Sequence, residues 1–367
     1  MRGLITLSLL PACLWAFSCM DQSGKPVDWF AVYKMPIVKD NSIPGVADGV
    51  GWYYLDVNKK SSLQPSAKTL DDKDQAIAYT LQQYYDKKSD KTIFHAMYND
   101  EPYGTVSVSG DTNNLFYELF SNRINPKFRP SETDFGHTKG TLFFDKTSGI
   151  WLVHSVPKFP PPDGYAYPTS GHDYGQTMLC MTFKYSELSK IGTQLYFNRP
   201  NIYSSFLPTD MASGNPDLAK AIAGQYATGQ PSSSIIDLTT SAGTTFKSFA
   251  KSKDFNADLY DGIVAPTLKT DMLVESWRRG SAIPLACSKT YHANDALSIK
   301  VGSTQEFSYT KDHSKMARST DTTKPFLCIG DINRMTSQYV RGGGTLCTNS
   351  NFLWQAFNVI MTENTCS

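Results

Sequence analysis

Apolar and polar residues alternate with a period of two over long stretches of this chain. Residues 27–35 alternate in this way, and residues 49–57 and 92–98 are further strand candidates. Two apolar, β-prone runs, 140–145 and 149–154, flank a turn without large hydrophobes at 146–149 and predict a hairpin. Between the first strands the period changes: Ile77, Leu81, Tyr84 and Tyr85 share one face of a predicted helix over 75–85, with Asp71 and Asp72 placed to cap it. Residues 103–133 are polar and asparagine-rich and read as a long excursion. The proline-rich stretch 157–162 should end the hairpin. Residues 164–177 read as loop before a strand over 178–183. Further on, the pattern predicts helices over 217–227, 244–253 and 350–362, the last capped by Ser350, and extended chain over 273–277 and 298–301. Strands interleaved with helices argue for α/β layers with mixed sheets.

The start of the chain changes the picture of where it folds. Met1-Arg2 precedes an apolar run from Leu4 to Phe17 that is too short to span a bilayer, and Ala16 and Ser18 are small residues at cleavage spacing. Residues 1–18 are therefore expected to be a signal peptide, leaving a protein that is not membrane-bound once the leader is removed. Of seven cysteines, Cys13 lies in this leader. The remaining six, Cys19, Cys180, Cys287, Cys328, Cys347 and Cys366, are an even set in a secretory chain and predict three disulfides, with the pairing left open. No Cys-x-x-Cys suggests a zinc or redox site.

The formal charge of +1 advertises no general affinity for nucleic acid at neutral pH. Acid changes this, because six histidines gain charge as the pH falls below their usual value of ~6.5. No Asn-x-Ser/Thr sequon occurs; Asn364-Thr365-Cys366 is at best a poor one.

The candidate chemistry lies in a repeated motif. His137-Thr138-Lys139 and His313-Ser314-Lys315 both read His-x-Lys, an acid follows each lysine by six (Asp145, Asp321), and a small polar pair follows by fifteen (His154-Ser155, Gly330-Asp331). The offset between the copies is 176 throughout. One site built from both halves would hold two imidazoles and two ammonium groups, which suits a phosphodiester. A neutral imidazole attacks phosphorus, a protonated one serves the leaving oxygen, and Lys139 and Lys315 grip the non-bridging oxygens. Asn333 would donate a further hydrogen bond. Arg341, in Arg341-Gly342-Gly343-Gly344-Thr345, is a candidate substrate contact. That glycine run either cradles phosphate or turns the chain before the last helix. His154 lies across the hairpin from His137, to orient it, to bind phosphate or to serve the fold. No metal ligand set and no cofactor motif is apparent: His-Glu-x-x-His, a Walker loop and an EF-hand loop are all missing.

At these residues the chain resembles the deoxyribonuclease II family. The resemblance rests on Val27-Asp28-Trp29-Phe30-Ala31-Val32-Tyr33-Lys34, Gly136-His137-Thr138-Lys139-Gly140, Trp151-Leu152-Val153-His154-Ser155-Val156-Pro157, Tyr174-Gly175-Gln176-Thr177, Asp312-His313-Ser314-Lys315 and the Arg341–Thr345 run, and it extends from about Cys19 to Cys366. Similarity at 256–261 suggests the nematode branch, which digests the DNA of engulfed apoptotic cells. The resemblance implies an acid endonuclease, lysosomal or secreted, that needs no divalent metal and leaves 3′-phosphate and 5′-hydroxyl ends on DNA. It implies a phospholipase D-like pseudo-dimer of two mixed-sheet halves flanked by helices, here residues 19–185 and 186–367, and leaves a homodimer open. It carries His137, Lys139, His313 and Lys315 as site residues with His154 as a contributor, and superfamily analogy makes His137 the nucleophile and His313 the acid. It also implies the pairs Cys19–Cys180, Cys287–Cys366 and Cys328–Cys347. The competing readings are a lipid phosphodiesterase built on the same constellation and a secreted nucleic-acid-binding relative without turnover.

Overall fold

The computed structural model describes residues 17–59, 62–104 and 134–366. Most of the expected leader and most of the excursion at 103–133 lie outside the described residues. The strands in chain order are β1 (Cys19–Met20), β2 (Pro26–Val27), β3 (Trp29–Lys34), β4 (Trp52–Asp56), β5 (Gln64–Pro65), β6 (Phe94–Asn99), β7 (Lys139–Phe144), β8 (Ser148–His154), β9 (Gln176–Lys184), β10 (Ile202–Phe206), β11 (Ser233–Thr239), β12 (Thr245–Lys251), β13 (Met272–Glu275), β14 (Ala293–Ile299), β15 (Phe307–Ser308), β16 (Met316–Ser319), β17 (Phe326–Gly330), β18 (Gly343–Asn349) and β19 (Ile360–Asn364). The principal helices are α1 (Ala76–Tyr85), α2 (Leu188–Asn198), α3 (Pro216–Ile222) and α4 (Asn351–Ala356).

Two large sheets result. One runs β10-β6-β7-β8-β9-β3-β4-β5; the other runs β11-β12-β18-β17-β16-β13-β14-β15, with β19 also paired to β14. Pairing is antiparallel apart from β13 against β14. The first sheet takes its end strand, β10, from beyond residue 185.

The period-two pattern explains the layering. In β8, Trp151 and Val153 point into a core shared with Met316, Leu327, Ile329 and Leu346 of the second sheet. Ile150 and Leu152, on the opposite face, pack with Ile77 and Leu81 of α1. On the far side of the second sheet, Val274, Ala317, Cys328 and Cys347 pack with Tyr260, Val264 and Leu268. The order is therefore helix, sheet, sheet, helix, which is why most strands are buried on both faces rather than polar on one.

The three disulfides are Cys19–Cys180, Cys287–Cys366 and Cys328–Cys347, the pairing that the resemblance implies. Among the described residues no helix is long and apolar enough to cross a membrane. Phe17 and Ser18, at the end of the expected leader, are packed into the protein: Phe17 meets Phe143 edge-on at 5.2 Å and its N–H donates to Ser148 Oγ at 3.1 Å.

Several local expectations are corrected. The predicted helix over 244–253 is instead strand β12 (Thr245–Lys251), because β11 and β18 bond to it on either side. The predicted helix over 350–362 is the short α4, capped by Ser350, followed by β19. Helix α1 is capped by the Gln75 side chain rather than by Asp71 or Asp72. Asp145 and Asp321 form a matched pair of hairpin turns, accepting from Ser148 N and Thr323 N, and take no part in the site.

Candidate active site

Strands β7 and β16 bring the two His-x-Lys motifs into one electrostatic field between the sheets. Lys139 opens β7, and Lys315 immediately precedes β16. Each histidine is fixed by a carbonyl from the other half of the chain. His137 Nδ1 donates to the Asp331 carbonyl at 2.6 Å, and His313 Nδ1 to the Ser155 carbonyl at 3.0 Å. Ser155 and Asp331 are themselves 176 residues apart, the offset of the motifs. With Nδ1 protonated, His137 turns its Nε2 toward Asn333 and Asp100.

The backbone around the motifs is just as crossed. His137 N donates to Gly342 O at 2.9 Å, and His313 N to Gly175 O at 2.8 Å. The glycines are there for close approach: a Cβ on Gly136 or Gly342 would lie 1.9 or 2.3 Å from the Asn198 carbonyl, and one on Gly175 would lie 2.3 Å from Asp312 Oδ1. Gly343 and Gly344 begin strand β18 and are buried; Gly344 N donates to Asp331 Oδ1 at 3.0 Å. The glycine run is thus neither a flexible cradle nor a turn.

The two histidines sit in different company. Near His137, the Asp100 carboxylate accepts from Lys139 Nζ and from Arg341 Nη2 at 3.4 Å, and lies 3.5 Å from His137 Nε2. Burial works against the charge of Asp100, but His137, Lys139 and Arg341 outweigh it and hold the carboxyl far below the usual range. Asn333 Nδ2 reaches His137 Nε2 at 3.2 Å, while its buried Oδ1 has no hydrogen-bond partner. Arg341 also donates to the Phe135 and Gly136 carbonyls, which ties it to the motif backbone. Nearest to His313 the charged group is a cation. Lys315 Nζ lies 2.9 Å from Nδ1 and donates to the His313 carbonyl at 2.6 Å, and Gln176 Oε1 is 3.2 Å from Nδ1. Trp277 packs edge-on against the His313 ring at 5.2 Å.

Burial pushes both imidazoles well below their ordinary value. For His137 it is opposed by Asp100 and reinforced by Lys139, Lys315 and Arg341. For His313 it is reinforced by Lys315, Lys139 and His137, with Asp100 opposing. Each histidine thus feels the other half's lysine, so the four side chains share one electrostatic environment. Lys315 is itself pushed down by burial and by Lys139.

His154 stands apart from this cluster. It is fully buried, its Nδ1 accepts from Val156 N at 3.2 Å, and its ring meets Phe159 edge-on. Burial and then Lys139 depress it to about 3. His95, in β6, contacts Ser204 Oγ at 3.3 Å and behaves as a core histidine. The sequence pattern did not single out Asp100 or Trp277; it marked the pairs His154-Ser155 and Gly330-Asp331 but not the carbonyls of Ser155 and Asp331 as partners of the histidines. The signal for Asp100 was no more than its position at a strand end, after Asn99 of β6.

Two imidazoles and two ammonium groups in one buried shell suit transfer of a phosphoryl group, and the class is settled by comparison. The family model for Deoxyribonuclease II matches residues 18–366, and the chain belongs to that family: it is an acid nuclease that degrades DNA. It is 70% identical to Deoxyribonuclease-2 of Caenorhabditis elegans, over 96% of this chain and 94% of that protein. It is 38% identical to Plancitoxin-1 of Acanthaster planci (93% and 90% covered) and 37% identical to Deoxyribonuclease-2-alpha of Rattus norvegicus (96% of each chain).

Proposed function

We propose that this protein is a metal-independent endonuclease that cuts DNA in two steps through a phosphohistidine. In the first step the Nε2 lone pair of one histidine forms a bond to phosphorus while the bond to the 5′ oxygen breaks. The other histidine, as imidazolium, gives that oxygen its proton. In the second step the now neutral imidazole takes a proton from water, whose oxygen attacks phosphorus and displaces the first histidine. The products carry 3′-phosphate and 5′-hydroxyl ends. Lys139 and Lys315 hold the non-bridging oxygens, and Arg341 braces Asp100 and the His137 backbone. The observation that carries this reading is the crossed pair of Nδ1 contacts to the Asp331 and Ser155 carbonyls, which anchors each imidazole on the other half of the chain.

The same crossed contacts support a pseudo-dimer of phospholipase D-like type. Strand orders β6-β7-β8-β9-β3 and β13-β16-β17-β18-β12 correspond in space and in chain order, while beyond them β4 follows β3 and β11 precedes β12. The charge distribution favours His313 as the attacking group and His137 as the acid, the reverse of the order drawn from analogy. His137 has a carboxylate to retain its proton, and the Asn333 amide, turned over, would offer Oδ1 to Nε2–H; burial, and then Lys315 and Lys139, keep His313 neutral. Three disulfides and the leader-like start support a secreted or lysosomal location, where DNA of engulfed cells or ingested DNA is the substrate.

The test is nicking of supercoiled plasmid from pH 4 to 8 in excess EDTA. Activity confined to acid, insensitive to EDTA and lost in His137→Ala and His313→Ala is expected; EDTA-sensitive cutting would refute the mechanism. Acid-free quenching followed by peptide mass spectrometry should find the DNA fragment joined to His313 through its 3′-phosphoryl group.

A further inference from the structure

Beside His313 lies a group of side chains that neither catalysis nor the core requires. Trp277, two residues beyond β13, is half-buried and meets the His313 ring at 5.2 Å. Tyr174, also half-buried and from the first half of the chain, meets the indole at 4.7 Å, nearly at right angles. The exposed guanidinium of Arg279 lies 4.7 Å from the centroid of the indole and 5.2 Å from that of the Tyr174 ring. It is held there by donation to the Tyr174 hydroxyl at 3.3 Å and to the Thr310 carbonyl at 2.8 Å. The backbone couples this group to the catalytic segment: Gly175, next to Tyr174, accepts from His313 N at 2.8 Å and donates to Lys311 O at 2.9 Å.

An indole and a guanidinium plane, stacked, partly exposed and touching a catalytic imidazole, present a π-surface and a positive charge to whatever flanks the reacting phosphate. In a nucleic acid that neighbour is a base. Every base has a π-face, so such a shelf accepts any of them. Aromatic and guanidinium planes recognise unpaired or splayed bases in this way.

We propose that Trp277 and Arg279, braced by Tyr174, form a base-stacking subsite for the nucleotide adjoining the scissile phosphate. The base extends the indole–guanidinium stack, and the charge of Arg279 draws in the backbone beside it. This rests on the phosphodiesterase reading above. It implies that the nucleotide at the cut is unstacked from its neighbours when it reacts, and that the enzyme prefers a base at that position without preferring its identity.

The test uses short single-stranded deoxyoligonucleotides in which one linkage is an ordinary phosphodiester and the rest are phosphorothioates. Versions carry either a base or a tetrahydrofuran abasic residue, on the 5′ or the 3′ side of the cleavable bond. The readout is the ratio of kcat/KM with and without the base. The wild-type protein should favour the base on one side by on the order of tenfold. Trp277→Ala should bring that ratio close to one, and Trp277→Phe, which keeps a ring and the fold, should restore part of it. Arg279→Ala should weaken the salt dependence of kcat/KM. A wild-type ratio near one, or a ratio unchanged in Trp277→Ala because both substrates lose rate together, would overturn the proposal. The second result would make Trp277 a prop for His313. If the wild-type protein cuts neither substrate, it is the phosphodiesterase reading that fails.

Discussion

Asp100 sets the two histidines apart. Its carboxylate lies against His137 Nε2 and raises the affinity of that ring for a proton, against the opposing effect of burial. Replacing it with asparagine removes the attraction, so His137 should need a lower pH to charge. In Asp100→Asn the alkaline limb of the kcat/KM profile is expected to move about one unit or more toward acid. The same change leaves Lys139 and Arg341 without their buried counter-charge, and denaturant unfolding should report a loss of about 3–5 kcal/mol. At this scale His137, Lys139, His313 and Lys315 were legible because the motif repeats at a fixed offset. Asp100 was not, since a single acid after a strand resembles any other. Its role comes from Lys139, 39 residues away, and Arg341, 241 away.

Among the elements, hairpins β7–β8 and β16–β17 do the placing: each sets its lysine at a strand start and presents, after its second strand, a carbonyl to the opposite histidine. Such crossing leaves little room between segments. A Cβ at residue 175 would fall 2.3 Å from Asp312 Oδ1, within the segment whose next residue is His313. Gly175→Ala is therefore expected to destabilise by about 1–3 kcal/mol in thermal or denaturant unfolding. It should lower kcat on the order of a hundredfold by displacing the ring. The hairpin was readable from its two apolar runs around the turn signal at 146–149, of which Ser148 and Gly149 already lie in β8. Strand β12 was not, because Phe246, Phe249 and Ala250 also fit a helical spacing. Pairing on both edges by β11 and β18 decided between the two.

For the whole molecule, buried titratable groups oppose one another. Burial pushes Asp331 up to about 7 and Asp258 to about 6, and raises Glu275 and Asp312 as well. With folded values above the unfolded ones, these carboxyls contribute stability that is present in acid and lost as pH rises through those values. Burial depresses His95 to about 4 and His154 to about 3, and lowers His137 and His313. Their contribution is present above the unfolded value of ~6.5 and is lost as pH falls. Lys34 and Lys315, whose charge burial also disfavours, act in the same sense as the histidines. His154→Gln removes one opposing group. Relative to the wild type it should gain about 2–3 kcal/mol in unfolding free energy on going from pH 7 to 4.5.

What the sequence determined by itself is the repeated chemistry and the local apolar pattern. A histidine and a lysine two apart, duplicated at 176 residues, name the candidate reacting groups, and apolar runs mark several of the strands, because both are properties of short segments. The tertiary structure decided which groups those residues meet. It gave Asp100 to His137 and cations to His313, joined each ring to a carbonyl of the other half, and set Trp277 against the reactive imidazole. Electrostatic environment and close packing depend on distance in space, and in this fold the partners that tune the two histidines come from strands and loops far apart along the chain.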